Sequence, residues 1–266
     1  MIKALWTSAS GMAAQQTNLD VVSNNIANVN TTGFKQSRAN FEDLIYQNIK
    51  DPGVVSADGN RVPSGIQVGL GVRVSDVSKI FSQGSLKKTE RDLDVAIEGP
   101  GFFKIELPNG GEAYTRAGNF SIDEEGYIVT SEGYKLQPNI QITSPETLVS
   151  ISISPNGKVN AVRNEGGNQT VEELGDIKLY RFINPSGLKA MGQNLFLQTE
   201  ASGESVEGDP NTDGFGRLLQ GFLESSNVNI VEEMVNLIVA QRAYEMNSKG
   251  ITTSDEMLRT VANLKS

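Results

Sequence analysis

The side chains best suited to chemistry stand in one short polar loop, DPNTDGFG at residues 209–216. Asp209, Asn211 and Asp213 have the spacing of the first ligands of an EF-hand calcium loop, and a glycine follows them as that loop requires. The loop also needs a bidentate glutamate at its twelfth position, where this chain has Gln220, and a helix before it, which the sequence does not predict. We therefore favour a polar turn, with a calcium loop as the alternative, and predict no metal site.

The composition excludes most enzyme chemistry. The 266 residues include no cysteine and no histidine, which excludes thiol nucleophiles, Cys/His zinc sites, Ser-His-Asp triads and imidazole acid–base catalysis. Asp123, Glu124 and Glu125 are adjacent carboxylates, but neighbours at a hairpin tip point apart, and paired-carboxyl catalysis needs two groups about 5–9 Å apart across a cleft. The glycine turns at 69–71 and 99–101 lack the third glycine and the helix of a phosphate-binding turn. We predict no catalytic residue and no cofactor.

An asparagine-rich stretch, SNNIANVNTTGFK at residues 23–35, has three conceivable roles: catalysis, base reading or the ending of a helix. Catalysis lacks a histidine partner. The net charge of −9, without a basic patch that contains aromatic residues, argues against nucleic acid as a partner. Asn28 and Asn30 suit a helix C-terminus and Gly33 suits the turn that follows, because asparagine and glycine tolerate positive φ.

Charge and hydropathy argue against a membrane partner as well. Residues 51–221 hold 15 of the 23 basic and 23 of the 32 acidic side chains, a net charge of −8 that disfavours anionic lipid. No stretch approaches the roughly 18 apolar residues of a membrane span. The N-terminus has only Ala4, Leu5 and Trp6 after Lys3 before polar residues follow, so it does not resemble a secretory signal. These features alone predict a cytoplasmic protein.

Both ends of the chain are predicted to be helices that pair. Apolar residues recur every seven positions in the first 27 residues and in the last 40, which is typical of helices that pack along a coiled-coil-like seam. The alternative is that each helix packs on a globular core. A helix of about 27 residues is about 40 Å long, which is more than a small core requires and favours a pair of ends. The predicted contact residues are Ile2, Leu5, Met12, Leu19, Ile26, Ile230, Leu237, Tyr244, Ile251 and Leu258.

Between the helices the periodicity changes to two. The segments 92–107, 113–138, 148–162 and 177–183 alternate and are separated by Gly, Pro, Asn and Asp turns at the spacing of an all-β sandwich or barrel-like domain. We predict a mainly β fold with α-helical termini that pair around an inserted β domain. The predicted domains are a helical one (1–30 and 225–266), an extended or β connecting region (31–75 and 198–224) and an all-β outer domain (76–197).

Long motifs in the helical ends and in the β region resemble those of the bacterial flagellar rod and hook family. Residues 12–44, with the Asn-Asn-Ile-Ala-Asn run and Thr-Thr-Gly-Phe-Lys, are similar to its N-terminal signature, and residues 226–258 to its C-terminal one. LDVAIEGPGFFKI and INPSGLKAMGQNLFLQT are similar to its β region. The segment 46–65 resembles an insertion that distal rod members carry and hook members lack, and it contains Tyr46, Pro52, Gly53, Pro63 and Gly65. The length also fits a distal rod member.

The resemblance implies a non-enzymatic structural subunit that polymerises helically into a rigid, hollow drive shaft and transmits motor torque to the hook. A proximal rod subunit is the alternative, followed by a secreted β-domain enzyme or glycan binder. Implied partners are further copies of the chain, proximal rod proteins, the hook protein, the P- and L-ring bushing, the rod cap and the flagellar export apparatus. The resemblance also replaces the cytoplasmic prediction with a rod in the periplasm, exported by the flagellar type III system without a cleaved signal peptide.

Within that resemblance, the asparagine-rich stretch becomes the corner where the first helix turns outward into the connecting region. The residues assigned to this joint are Asn24, Asn25, Asn28, Asn30, Gly33 and Phe34.

Overall fold

The computed structural model describes residues 2–51, 64–142, 148–165, 168–212 and 214–263. Helix α1 (Ile2–Ala27) opens the chain and helix α2 (Ile230–Asn263) closes it, with strands between them. The two helices pack together, so the predicted mainly β fold with paired helical termini is confirmed. The chain forms two compact units. The first comprises Met1–Ala27, Ser37–Lys79 and Asn229–Ser266, and the second comprises Asn28–Gln36 and Ile80–Val228.

In the first unit, two antiparallel strand pairs accompany the helices. Strand β1 (Ser37–Asp43) pairs with β4 (Val72–Lys79), and β2 (Tyr46–Lys50) pairs with β3 (Ile66–Gly69). The predicted connecting region 31–75 therefore contributes strands to the unit that contains the helices.

The second unit is built from antiparallel sheets. Its strands are β5 (Leu86–Lys88), β6 (Val95–Glu98), β7 (Phe103–Glu106), β8 (Glu112–Thr115), β9 (Ser121–Ile122), β10 (Ile128–Val129), β11 (Lys135–Gln137), β12 (Leu148–Ile153), β13 (Lys158–Glu165), β14 (Asn168–Asp176), β15 (Leu179–Arg181), β16 (Lys189–Gly192), β17 (Leu195–Leu197), β18 (Val206–Gly208), β19 (Arg217–Gln220) and β20 (Phe222–Glu224). One sheet has the order β16-β17-β8-β7-β11-β10-β9 and another the order β12-β13-β14. The pairs β15–β18, β19–β6 and β20–β5 complete the unit.

Local turn chemistry places these strands. The amides of Gly126 and Gly133 donate to the carbonyls of Asp123 and Thr130, both at 2.9 Å, and both glycines have positive φ. The two turns fall where glycine after acidic or polar residues predicts them. Gly157 closes the predicted hairpin between β12 and β13 in the same way.

The core of the second unit lies between its sheets. The largest cluster of buried side chains consists of Val95, Ile97, Phe103, Phe120, Ile128, Leu136, Ile140, Ile142, Ile151, Ile153, Val159, Ile177, Leu179 and Leu218. A second cluster is aromatic, with Phe102 in edge contact with the rings of Phe81, Phe182 and Phe196. All members of these two clusters belong to the second unit.

Candidate assembly surface

The seam between α1 and α2 is formed by small and polar side chains. The amide Nδ2 of Asn25 donates to Glu233 Oε2 at 3.1 Å, and both residues are buried. A Cβ added to Gly11 would come within 2.9 Å of Asn247 Nδ2, so α2 approaches α1 closely there. Gly11 precedes Asn25 on α1, whereas its neighbour Asn247 follows Glu233 on α2 by the same number of residues. The two helices are therefore antiparallel.

The predicted apolar stripes lie beside this seam. Leu5, Met12, Leu19 and Ile26 on α1, and Leu237, Ile251 and Leu258 on α2, are half-buried within the chain, while Ile230 and Tyr244 are 46% and 39% exposed. The side chain of Ile2 lies outside the described residues. The structure therefore brings most of the stripe to the flanks of the helix pair and leaves part of the surface of each described member uncovered.

An exposed apolar face on the first half of α2 is broader than the predicted stripe. Val231, Met234, Val235, Ile238 and Val239 are between 53% and 71% exposed. A helix that is apolar on nearly all sides is normally buried. The sequence signal is the high apolar content of 230–240, where eight of the eleven residues are apolar, many more than one in seven. We call these five residues the outer face of α2.

The asparagine-rich stretch ends α1 as predicted. Asn25 exchanges two hydrogen bonds with the backbone of Ser37: its Oδ1 accepts from the Ser37 N–H at 2.9 Å and its Nδ2 donates to the Ser37 carbonyl at 2.8 Å. This contact fixes the start of β1 against the last turn of the helix. Asn24 is exposed.

The remaining joint residues belong to the second unit. The Thr31 hydroxyl donates to Asn28 Oδ1 at 3.1 Å, Asn30 is exposed, and Phe34 is buried. Gly33 has φ +70°, and a Cβ on it would come within 2.7 Å of the Ala117 nitrogen. Glycine is needed there both for its backbone conformation and for space.

A buried ionic cluster, absent from the predictions, lies directly after this turn. The Lys35 ammonium donates to Glu224 Oε1 at 2.7 Å and the Arg116 Nε donates to Glu224 Oε2 at 2.9 Å, with all three side chains at most 5% exposed. The Gly84 N–H also donates to Glu224 Oε1, and Arg116 donates to the carbonyls of Gly99 and Gly101. Burial lowers the pKa of Lys35, Glu224 raises it, and Arg116 lowers it further. The cluster thus joins separate segments of the second unit.

The segment 46–65 is described only at its two ends. Tyr46 lies in β2 and is 52% exposed, and Gly65 precedes β3. Pro52, Gly53 and Pro63 lie outside the described residues. Strands β2 and β3 are antiparallel neighbours, with Tyr46 opposite Gly69 and Lys50 opposite Ile66.

The polar loop at 209–216 contains an ion pair. The Asp209 carboxylate accepts from the Lys178 ammonium, and Asn211 Nδ2 donates to Asn156 Oδ1 at 3.0 Å. Asp213 lies outside the described residues. Within the described part of the chain, no group of three or more acidic side chains is placed to hold a metal ion. In the same residues, neither helix is apolar over a length that could cross a bilayer.

The described site consists of packing contacts between secondary-structure elements and of apolar side chains that point outward. This arrangement is typical of a structural protein. Family models agree over three segments: residues 5–35 match "Flagella basal body rod protein", 96–161 match "Flagellar hook protein FlgE/F/G D1 domain" and 219–264 match "Flagellar basal body rod FlgEFG protein C-terminal". The chain belongs to the flagellar basal-body rod protein family and is a structural rod subunit.

Relatives match it from end to end. The chain is 53% identical to the flagellar basal-body rod protein FlgG of Borreliella burgdorferi, covering 100% of this chain and 99% of the relative. It is 52% identical to the FlgG of Caulobacter vibrioides, with both chains fully covered. It is 32% identical to the flagellar hook-basal body complex protein FlhP of Bacillus subtilis, again over the whole of both chains.

Proposed function

We propose that this chain is a subunit of the distal rod, which polymerises helically into a rigid, hollow drive shaft and transmits motor torque to the hook. The observation that carries the proposal is the end-to-end match to rod proteins named FlgG at 52–53% identity, against 32% for FlhP. A proximal rod position is the alternative. A glycan-binding or enzymatic role has no comparable support.

The exposed side chains of the helix pair supply the polymerising contact. The outer face of α2 and the uncovered flanks of the predicted stripes pack against helices of neighbouring copies, which removes apolar surface from water. A contact between different faces of identical subunits propagates as a helix when its rotation does not close into a ring, and we propose that this contact does not close. The paired termini then line the inner tube, and the β unit forms the outer shell.

The segment 46–65 makes the shaft stiff by lying between subunits and limiting their sliding. Its described residues Tyr46 and Ile49 are exposed, as is Ile66 directly after it, and these apolar side chains suit contact with another copy. Deletion of 46–65 is expected to give a polymer that bends more, measured as a shorter persistence length in electron micrographs. Unchanged stiffness would remove this role.

The wider setting is part of the proposal, and membership of the rod family supports it. Proximal rod proteins lie below the subunit, the hook protein above it, and the P- and L-ring bushing around it. The rod cap and the flagellar export apparatus act during assembly. The subunit works in the periplasm and arrives through the type III channel without a cleaved signal peptide.

The direct test places a charge in the polymerising contact. Leu19→Asp and Leu237→Asp are expected to abolish rods in electron micrographs of the full-length protein, while the tyrosine near-ultraviolet circular dichroism of the β unit is retained. Gln16→Asp is the matched control for Leu19→Asp, because Gln16 is exposed on the same helix. Rods of normal length from either leucine variant would contradict the proposal, and saturable binding of peptidoglycan fragments by the full chain would favour the glycan-binding alternative.

A further inference from the structure

The apolar pattern of the two terminal helices leaves their register undefined. Apolar residues recur every seven positions on both helices, so a slip of seven residues presents an equivalent stripe. The close approach of the two helices at Gly11 does not prevent the same slip. Gly11, which faces Asn247, would then face Ala240 or Ser254, and both of these are small. A different contact must select the observed register.

Such a slip gives Asn25, near the end of α1, a different partner on α2. Asn25 and Glu233 are 1% and 2% exposed and share a hydrogen bond of 3.1 Å. A slip in one direction places Asn25 opposite Ala240, whose side chain cannot accept the bond. A slip in the other direction places it opposite residues before the start of α2 at Ile230.

Asn25 is also held from a second side. Its amide exchanges two further hydrogen bonds with the backbone of Ser37, at 2.8 and 2.9 Å. The backbone of Ser37 therefore holds the amide in position from a side other than Glu233, and an acceptor at that one level of α2 completes its hydrogen bonding. A single buried polar residue in a helical seam is a known means of selecting one register.

We propose that the Asn25–Glu233 contact sets the register of the α1–α2 pair. Both are positioning residues: they decide which level of α2 faces which level of α1, and hence which apolar side chains stay outside. The proposal concerns the helix pair itself, and only its consequence for assembly rests on the proposed function.

Disulfide mapping in the full-length chain tests the register, and the absence of native cysteine makes the readout clean. A Cβ on Gly250 would lie 3.9 Å from the Ser8 Cβ, which is close to the mean separation in disulfides. Ser8→Cys is therefore combined in one chain with three cysteines on α2. Gly250→Cys reports the observed register, and Ala243→Cys and Met257→Cys report slips of seven residues in the two directions. Mild oxidation and peptide mass spectrometry give the ratio of the three cross-links.

In the unmodified seam, the cross-link from Ser8→Cys to Gly250→Cys is expected to dominate; we call it the native-register cross-link. Glu233→Ala should lower its ratio to the slipped cross-links about tenfold or more, since it removes a buried hydrogen bond to a charged group. Glu233→Gln keeps an acceptor oxygen and should restore most of the ratio. Glu232→Ala is the matched control, because Glu232 occupies the same first helical turn but is exposed.

Two results would overturn the proposal: an equal ratio in Glu233→Ala and Glu232→Ala, or slipped cross-links that match the native-register cross-link before any change at Glu233. If Glu233→Ala loses its helical circular dichroism, Glu233→Leu decides, because an apolar replacement of a buried charge usually preserves packing. An unchanged ratio in Glu233→Leu refutes the register role. A normal ratio in a chain that forms no rods contradicts the proposed function instead.

Discussion

Truncation of Glu224 is expected to destabilise the second unit more than any surface charge change. In Glu224→Ala, Lys35 and Arg116 keep their buried positions but lose the carboxylate between them, at side-chain exposures of 1% and 5%. Breaking a buried ion pair by removal of one partner costs about 3–5 kcal/mol. For a unit of roughly 150 residues, each kcal/mol corresponds to about 2–4 °C in Tm, so the expected fall is roughly 6–20 °C.

The assay is thermal unfolding of the full-length chain, followed by tyrosine near-ultraviolet circular dichroism. Glu173→Ala is the matched control, because Glu173 pairs with Lys158 at 2.6 Å while both side chains are more than half exposed. Such surface pairs contribute about 0–1 kcal/mol. A Glu224→Ala chain that melts within about 4 °C of the Glu173→Ala chain would refute the reasoning from burial.

The pH dependence of the same variant gives a second check. Burial already lowers the pKa of Lys35, and Glu224 is the main group that raises it. Without Glu224, the folded-state pKa of Lys35 falls further below its unfolded value. Between those two pKa values the unfolded chain binds more protons than the folded chain, so the stability of Glu224→Ala should rise with pH in that window. A deficit that stays constant up to about pH 10 would contradict this account.

Two further changes are predicted from packing and from burial. Gly11→Leu should separate α1 from α2, because even a Cβ there comes within 2.9 Å of Asn247. The separation should be seen as a loss of helical circular dichroism. The control Ala13→Leu, on the exposed side of α1, should have little effect. Burial raises the pKa of the Tyr114 and Tyr180 hydroxyls, so the folded chain holds these protons longer and stability should fall as the pH rises above about 10. A spectrophotometric titration should show two of the six tyrosines ionising only with unfolding; early ionisation of all six would disprove it.

Local patterns predicted the elements well because their causes are local. The seven-residue repeat and the asparagine-rich stop place α1 at Ile2–Ala27, and the glycine turns place the hairpins of the second unit. In contrast, Val95, Ala96 and Ile97 in β6 are all buried, although the segment was predicted to alternate. That strand is covered on both faces, and its own residues carry no sign of which elements cover it.

The seam and the ionic cluster were missed for two different reasons. A repeat of seven identifies the apolar row, whereas the closest approach of the helices follows a neighbouring row of small and polar residues, including Gly11 and Asn247. Lys35 and Glu224 are 189 residues apart, and each looks like an ordinary surface charge in its own segment. Their pairing follows from the tertiary fold alone.

The small and polar seam has a consequence for how the ends of this chain acquire order. The seam contains glycine, asparagine, serine and glutamate, and the outer face of α2 is still largely exposed after the two helices have met. Under the proposed function, a second copy covers this outer face, and by mass action the stability of the helices then increases with subunit concentration. We expect a critical concentration, below which the helices fray and the β unit stays folded, and above which folding of the ends and growth of the polymer are one equilibrium.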